Sequence, residues 1–224
     1  MIKNVLIDLD GTILNFNAGE RKAFIETIKE FSNHKLKEED ILLFTKINER
    51  LFNEYASGKM IRIVFQEARF KEIFKALNIN ADPSMANKYF IDKLKYSAEL
   101  YADVIEALLY LNSKYNLFIA SNGMMAVQIK RLETAGILNL FNKCYVSEVI
   151  GYNKPDINFF NYIFNDLNNY NKEEFIVIGD RLETDILGGI NANIKNILIN
   201  RDNVKGNIKP DYEIKSLLEL KKLL

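Results

Sequence analysis

The chain of 224 residues has one cysteine, Cys144, and one histidine, His34. A lone cysteine cannot close an internal disulfide, which fits a reducing compartment, and its expected role is that of a small residue beside the core. His34 lies in a polar stretch at a helix end with no second histidine and no cysteine near it, so it is expected to be exposed and makes no metal site. A surplus of either charge is missing too, because 30 Lys+Arg balance 30 Asp+Glu and no basic cluster stands out. That speaks against nucleic-acid polymers and membrane surfaces as partners. No apolar run approaches the ~20 residues of a membrane span. Asp8 follows only a few apolar residues, so no signal peptide is expected. Internal repeats and low-complexity segments are also lacking. These absences lead to the expectation of a soluble, cytoplasmic protein.

What is present is material for a core. The hydrophobic fraction of 48% is ordinary for a globular protein, and the length suits one generous domain or a core with a smaller insert. Three apolar runs stop at polar, glycine-containing turns: "NVLIDLDGT" (4–12), "NLFIASNG" (116–123) and "FIVIGD" (175–180), with a fourth candidate in "KNILIN" (195–200). Continuous rather than alternating apolar runs predict strands buried on both faces, as in a parallel sheet. Helical patterns at 104–115, 125–137, 157–168 and 184–193 lie between and after them. Strands alternating with helices predict right-handed βαβ units and a doubly wound α/β layer.

The stretch 15–98 breaks this rhythm and reads as helices only, at 19–31, 39–58, 61–77 and 83–100. It is too long for one crossover and predicts a small helical domain inserted between the first two core strands. The predicted division is therefore 1–14 plus 99–224 for the α/β core and 15–98 for the insert. Phe24, Phe31, Phe44, Phe52, Phe65, Phe70 and Phe74 recur there at helical spacing and are expected to form its core. One or two of them, with Tyr55, are candidates to face a ligand, while Arg62 and Arg69 read as surface charges.

In a parallel α/β sheet, ligands sit beyond the carboxyl ends of the strands. The first strand delivers Asp8 and Asp10, which point the same way on an extended chain. Gly11 and Thr12 then permit a tight turn and offer backbone N–H groups to an anion. The second strand delivers Ser121 and Asn122 before Gly123. The third delivers Asp180, with Asp185 just over one helical turn beyond it, and "GYNKPD" places Lys154 on a loop stiffened by Pro155. Asp185 also reads as a cap for the helix that follows. Several carboxylates at one point repel each other unless a cation sits among them, and a hard ion such as Mg²⁺ suits such a set. With it in place one carboxylate can attack as a nucleophile while metal and lysine screen the electrophile, for which a phosphoryl group is the obvious candidate. Ser121 and nearby backbone N–H groups would hold its other oxygens.

Taken in order, "DLDGT", "SNG", "NKPD" and "GDRLETD" resemble the four motifs of the haloacid dehalogenase superfamily of phosphohydrolases. The resemblance covers the whole chain, since the helical stretch sits where that superfamily carries a cap. It implies a doubly wound Rossmann-like parallel sheet core with an inserted all-helical cap domain. Further stretches, "INERLFNEYASGK", "RFKEIF" and "GDRLETDILGGINAN", are similar to the bacterial branch of pyrimidine-nucleotide 5′-phosphatases.

The resemblance also implies roles. Asp8 would attack phosphorus to form an aspartyl-phosphate. Asp10 would protonate the leaving alcohol and then activate water. Asp8, the backbone carbonyl of Asp10 and Asp180 would bind Mg²⁺, with Asp185 a ligand or an acceptor behind it. Lys154 would stabilise nucleophile and phosphoryl charge, and Ser121 would donate to phosphate. Gly11, Thr12, Asn122 and Gly123 complete the expected phosphate-binding set. Arg181 departs from the superfamily, where a small hydroxyl residue is common after "GD".

The expected partner is a small phosphate ester, most readily a pyrimidine nucleoside 5′-monophosphate, held under a cap that excludes water. Phosphoglycolate or a sugar phosphate fits the same centre, and a phosphomutase uses the same residues. The superfamily's dehalogenases lack the second acid of the first motif, which this chain has in Asp10. A binding protein that had given up turnover would show a lost catalytic residue, and none is lost.

Overall fold

Val5, Leu6 and Ile7 are buried on both sides, so this short run forms a central strand rather than an edge. A computed structural model describes residues 1–224. Its strands are β1 (Asn4–Ile7), β2 (Asn116–Ser121), β3 (Lys143–Val146), β4 (Phe175–Gly179), β5 (Lys195–Ile199) and β6 (Tyr212–Ile214). Its helices are α1 (Phe16–Phe31), α2 (Glu38–Ala56), α3 (Arg62–Ala76), α4 (Pro83–Leu94), α5 (Val104–Asn112), α6 (Met125–Thr134), α7 (Ser147–Ile150), α8 (Ile157–Asp166), α9 (Leu187–Asn191) and α10 (Leu220–Leu223). The chain divides into two units, Met1–Asn15 with Ala98–Leu224, and Phe16–Ser97.

In the first unit all six strands run parallel in the order β3-β2-β1-β4-β5-β6. Ile7 pairs with Ile119 on one side and with Ile178 on the other. Successive side chains serve opposite faces. Val5, Ile7, Leu117, Ile119, Ile176 and Ile178 pack in one layer with α5 residues such as Leu108 and Leu111. Leu6, Phe118, Ala120 and Val177 pack in the other with Phe159, Phe160, Ile163 and Phe164 of α8. Both faces are thus covered, which is why these strands read as unbroken apolar runs. From β1 the chain builds outward through β2 and β3, then crosses to β4, β5 and β6. The switch in direction falls between β1 and β4, where open α/β sheets bind ligands.

Two of the six strands, β3 and β6, carry no signal in the sequence reading, because KCYV and YEI mix polar and apolar residues at a sheet margin. Cys144 lies on β3, where burial pushes its thiol up to about 11 and leaves it a small core residue. The fourth predicted insert helix also runs too far. It ends at Leu94, and Leu100 instead forms an antiparallel bridge with Leu14, beside which the Asn15 N–H donates to the Glu99 carbonyl at 2.8 Å. That run pairs with the outgoing chain, a long-range partner that local spacing does not reveal.

The second unit consists of α1 to α4. Phe24 and Phe44 stack at 4.0 Å, and Phe70 and Phe90 meet edge-on at 5.5 Å around the same centre. Tyr55 and Phe65 stack in a smaller cluster, Tyr55 being buried there. Asp82 starts α4 by accepting from the Ser84 N–H at 2.8 Å, with Pro83 in the first turn. Two expectations are corrected here. Arg69 is buried, its guanidinium over the rings of Phe65 and Phe90 at 5.0 and 4.6 Å and bonded to Asn48 and Asn87 at 3.2 and 2.7 Å. His34 is half-buried, because Asp40, which caps α2 through the Lys37 N–H, also bonds its Nε2 at 3.0 Å.

Candidate active site

β1 ends in a carboxylate that the sheet itself holds in place. The Asp8 N–H donates to the Ile178 carbonyl at 2.9 Å, prolonging the ladder with β4 by one residue. The Asp8 side chain is buried. Lys154, only 1% exposed, reaches it from the loop before α8 and donates to Asp8 Oδ1 at 2.7 Å and to Asp185 Oδ1 at 2.5 Å. The Asn122 amide fixes that loop: its Oδ1 accepts from the Lys154 N–H at 2.7 Å and its Nδ2 donates to the Lys154 carbonyl at 2.9 Å. Asn122, expected among the anion-binding groups, therefore holds the backbone that carries the lysine.

Asp185 lies on a wide helical turn, Leu182–Ile186, just after β4. Its Oδ2 accepts from the Arg181 N–H at 3.1 Å, so it caps that turn and faces Lys154 at once. Asp180 accepts from the Thr12 hydroxyl at 3.1 Å. Asp8, Asp180 and Asp185 offer carboxylate oxygens within 4.8 Å of one another. Burial pushes the Asp8 carboxyl well up, against the pull of Lys154, and the nearby acids Asp185, Asp180 and Asp10 add to the rise. Burial also lifts Asp180 to about 7, helped by Asp185 and opposed by Arg181 and Thr12. For Lys154, burial alone would lower the ammonium, but Asp185 and Asp8 outweigh it and hold it above its ordinary value. The lysine is thus a cation set between two of the three clustered acids.

The turn after β1 is closed by its own backbone. Gly11, at φ +86°, donates its N–H to the Leu14 carbonyl at 2.9 Å, so this donor serves the turn and not an anion. A side chain at Gly11 would collide with the Asp180 carboxylate. Asp10 leaves the cluster altogether. Its carboxylate accepts from Gln128 Nε2 at 2.7 Å and from Arg131 Nη1, both on α6. Asp10 was expected as a metal ligand through its backbone carbonyl, and its side chain is not among the three clustered carboxylates. Ser121 ends β2, and its hydroxyl accepts from the Gly123 N–H at 3.0 Å and from Gln128 Nε2 at 2.9 Å. Gly123 is therefore also occupied locally.

Sequence reasoning passed over Gln128 and Arg131. Both are buried, at 2% and 1% exposure, although charge and hydropathy mark them as surface residues. The available signal was their spacing of three on the helix that follows "SNG", which puts them on one face.

The arrangement brings a buried nucleophile candidate, a fixed ammonium, a three-carboxylate cluster and a hydroxyl to the carboxyl ends of β1, β2 and β4. The family model described as haloacid dehalogenase-like hydrolase matches residues 5–199. The Bacillus subtilis HAD-hydrolase YfnB is 31% identical over 225 residues, covering 99% of this chain and 95% of its own. A crystal structure of YfnB, described as bound to magnesium, aligns with TM-score 0.94 and 30% identity over 100% of this chain and 98% of that one. The pyrimidine 5′-nucleotidase YjjG of Escherichia coli is 28% identical over 225 residues, covering 98% of this chain and 96% of its own. The pyrimidine 5′-nucleotidase PynA of Streptococcus pneumoniae is 29% identical over 223 residues, with coverage of 97% and 93%. No helix of the chain is long and apolar enough to cross a membrane.

Proposed function

The chain belongs to the haloacid dehalogenase-like hydrolases, and from that premise we propose a Mg²⁺-dependent phosphomonoesterase that acts through an aspartyl-phosphate, with pyrimidine nucleoside 5′-monophosphates as substrates. The observation that carries the reading is the Lys154 ammonium between Asp8 and Asp185, at 2.7 and 2.5 Å, with Asp180 completing the cluster. Lys154 anchors Oδ1 of Asp8, which leaves Oδ2 to attack. As the Asp8–phosphorus bond forms, the bond to the ester oxygen breaks, and that oxygen takes a proton from Asp10. Water then attacks phosphorus, Asp10 accepts its proton, and phosphate leaves with Asp8 restored. Ser121 donates to a phosphoryl oxygen, and Lys154 offsets the charge that gathers on the others.

The donor set fits a magnesium ion. Three carboxylates cluster, two of them paired with one ammonium, and the three offer the hard oxygen ligands that Mg²⁺ takes. Asp8, Asp180 and Asp185 would hold the ion, with Asp10 contributing its backbone carbonyl. Bound there, it would screen the phosphoryl group's negative charge. The nucleotide preference draws on the names of two relatives, YjjG and PynA.

The test is phosphate release from UMP, dUMP, dTMP, sugar phosphates and phosphoglycolate, with Mg²⁺ and with EDTA. The proposal expects metal-dependent release, fastest from the pyrimidine nucleotides. A preference for sugar phosphates would remove the nucleotide assignment, and no metal-dependent release from any ester would remove the phosphatase reading.

A further inference from the structure

Gln128 touches two groups that the proposed reaction needs. Its Nε2 donates to Asp10 Oδ2 at 2.7 Å and to Ser121 Oγ at 2.9 Å, and its Oε1 accepts from Arg131 Nη1 at 3.2 Å. A guanidinium can only donate, so the partners themselves decide which end of the amide is which. Arg131 also donates to Asp10 Oδ1, so both carboxylate oxygens are held from α6. Gly123 makes the contact sterically open, since a Cβ there would meet the Gln128 amide.

The decisive count is at Ser121. A hydroxyl has two acceptor sites and one hydrogen. The Gly123 N–H fills one site at 3.0 Å and Gln128 fills the other at 2.9 Å. What remains is the O–H hydrogen, which can serve only an acceptor. We propose that Gln128 is a positioning residue: it commits the Ser121 hydroxyl to donate to an incoming phosphoryl oxygen while its second N–H orients Asp10. Arg131, behind it, sets which way the amide faces. One amide thereby ties the phosphate donor to the acid–base residue. The inference rests on the phosphatase reading of Ser121 and Asp10.

Inorganic phosphate, the reaction product, reads the Ser121 donor without chemistry, as a competitive inhibitor. Gln128→Glu keeps the shape but replaces the donating nitrogen with an acceptor, so the Ser121 hydroxyl turns inward to it. Gln128→Met keeps the bulk and removes both donors. In Gln128→Glu, phosphate inhibition is expected to weaken by about tenfold, and kcat/KM to fall by more, because Asp10 also loses one of its two α6 donors and gains a carboxylate beside Oδ2. Ser121→Ala is expected to weaken phosphate inhibition by a similar factor. In the double variant the two losses should not add, since both remove one donated hydrogen bond. Thermal unfolding checks each variant. If Gln128→Glu does not fold, Gln128→Met, which frees the Ser121 hydroxyl to rotate without turning it inward, should weaken phosphate inhibition by a smaller factor. That loss should disappear when Ser121→Ala is already present, and an unchanged loss in that background would overturn the inference. Wild-type inhibition by phosphate in Gln128→Glu, or losses that add in full, would overturn the inference. Absence of turnover in the wild-type protein would instead overturn the phosphatase reading beneath it.

Discussion

Each unit buries charge, and the two do so differently. In the helical unit a single guanidinium, Arg69, lies over Phe65 and Phe90, with Asn48 and Asn87 on its nitrogens. Asn48 relays it to Glu20, so one buried cation answers one buried anion. Burial lowers the arginine to about 10, and Glu20 works against that, so it remains charged at neutral pH. In the α/β unit one ammonium pairs with Asp8 and Asp185, and the third clustered carboxylate, Asp180, has only the Thr12 hydroxyl and the nearby charge of Arg181. The first set is closed in charge, one cation against one anion, although Arg69 Nε has no hydrogen-bond partner. The second is open, because the protein leaves a negative surplus for something else to neutralise. Burial of charge alone does not mark a functional site; the unbalanced count does.

The comparison can be broken at its strongest point by removing the proposed nucleophile. Asp8→Asn is expected to reduce turnover by roughly 10⁴-fold or more, while the midpoint of thermal unfolding stays level or rises because one of three repelling acids has gone. A variant with near-normal turnover would end the covalent mechanism.

Next in size are the two buried cations. Lys154→Met leaves Asp8 and Asp185 uncompensated, and Arg69→Met does the same to Glu20, so each should destabilise by about 3–5 kcal/mol in urea unfolding. The distinction lies in repair. Adding Glu20→Gln to Arg69→Met should restore much of the loss, because a closed pair can be removed whole. If the Arg69 variant costs nothing, the helical cluster is not a closed pair.

A smaller effect separates the units by ligand. Mg²⁺ at about a hundred times its dissociation constant should stabilise the chain by about 2.7 kcal/mol, reversed by EDTA. Hydrogen exchange should slow around Asp8, Asp180 and Asp185 and not in α2 and α3. Equal protection of both regions would contradict an open cluster in the sheet alone.

The smallest effect belongs to Asp103, which accepts from Arg201 at 2.8 and 3.0 Å and from Ser216 and Leu217. Burial pushes its carboxyl up, but those donors outweigh it and hold the group below the ordinary carboxylate range. Its stabilisation is therefore complete above about pH 4 and lost as the pH falls through the lowered folded value. Solvent screening limits it to about 1 kcal/mol. Acid titration of stability in Asp103→Asn should show a shallower decline than in the wild type.

Much of the candidate site's placement in the fold was legible because it is local. Unbroken apolar runs marked β1, β2, β4 and β5; Asp8, Asp10 and Asp180 sit within three residues of where those runs stop, and Asp185 six residues beyond the end of β4. The helical insert was legible from spacing and from its lack of strand patterns. The edge strands β3 and β6 were not, since KCYV and YEI mix polar and apolar residues and leave Lys143, Tyr212 and Glu213 exposed, so neither shows the unbroken apolar run of a central strand. Arg69 was misread because an arginine between Ala68 and Phe70 carries no local sign that two phenylalanine faces and two asparagines will receive its guanidinium.

By itself, then, the sequence determined a parallel sheet buried on both faces and the ends at which its acids emerge, because strand and helix periodicities act between near neighbours. Tertiary structure alone decided who meets whom. Asp8 and Asp10 leave the same strand end two residues apart, yet one carboxylate turns to Lys154, 146 positions away, and the other to Arg131, 121 positions away. Spacing can aim a side chain, but the charge that receives it comes from another part of the chain and is set only when the sheet assembles.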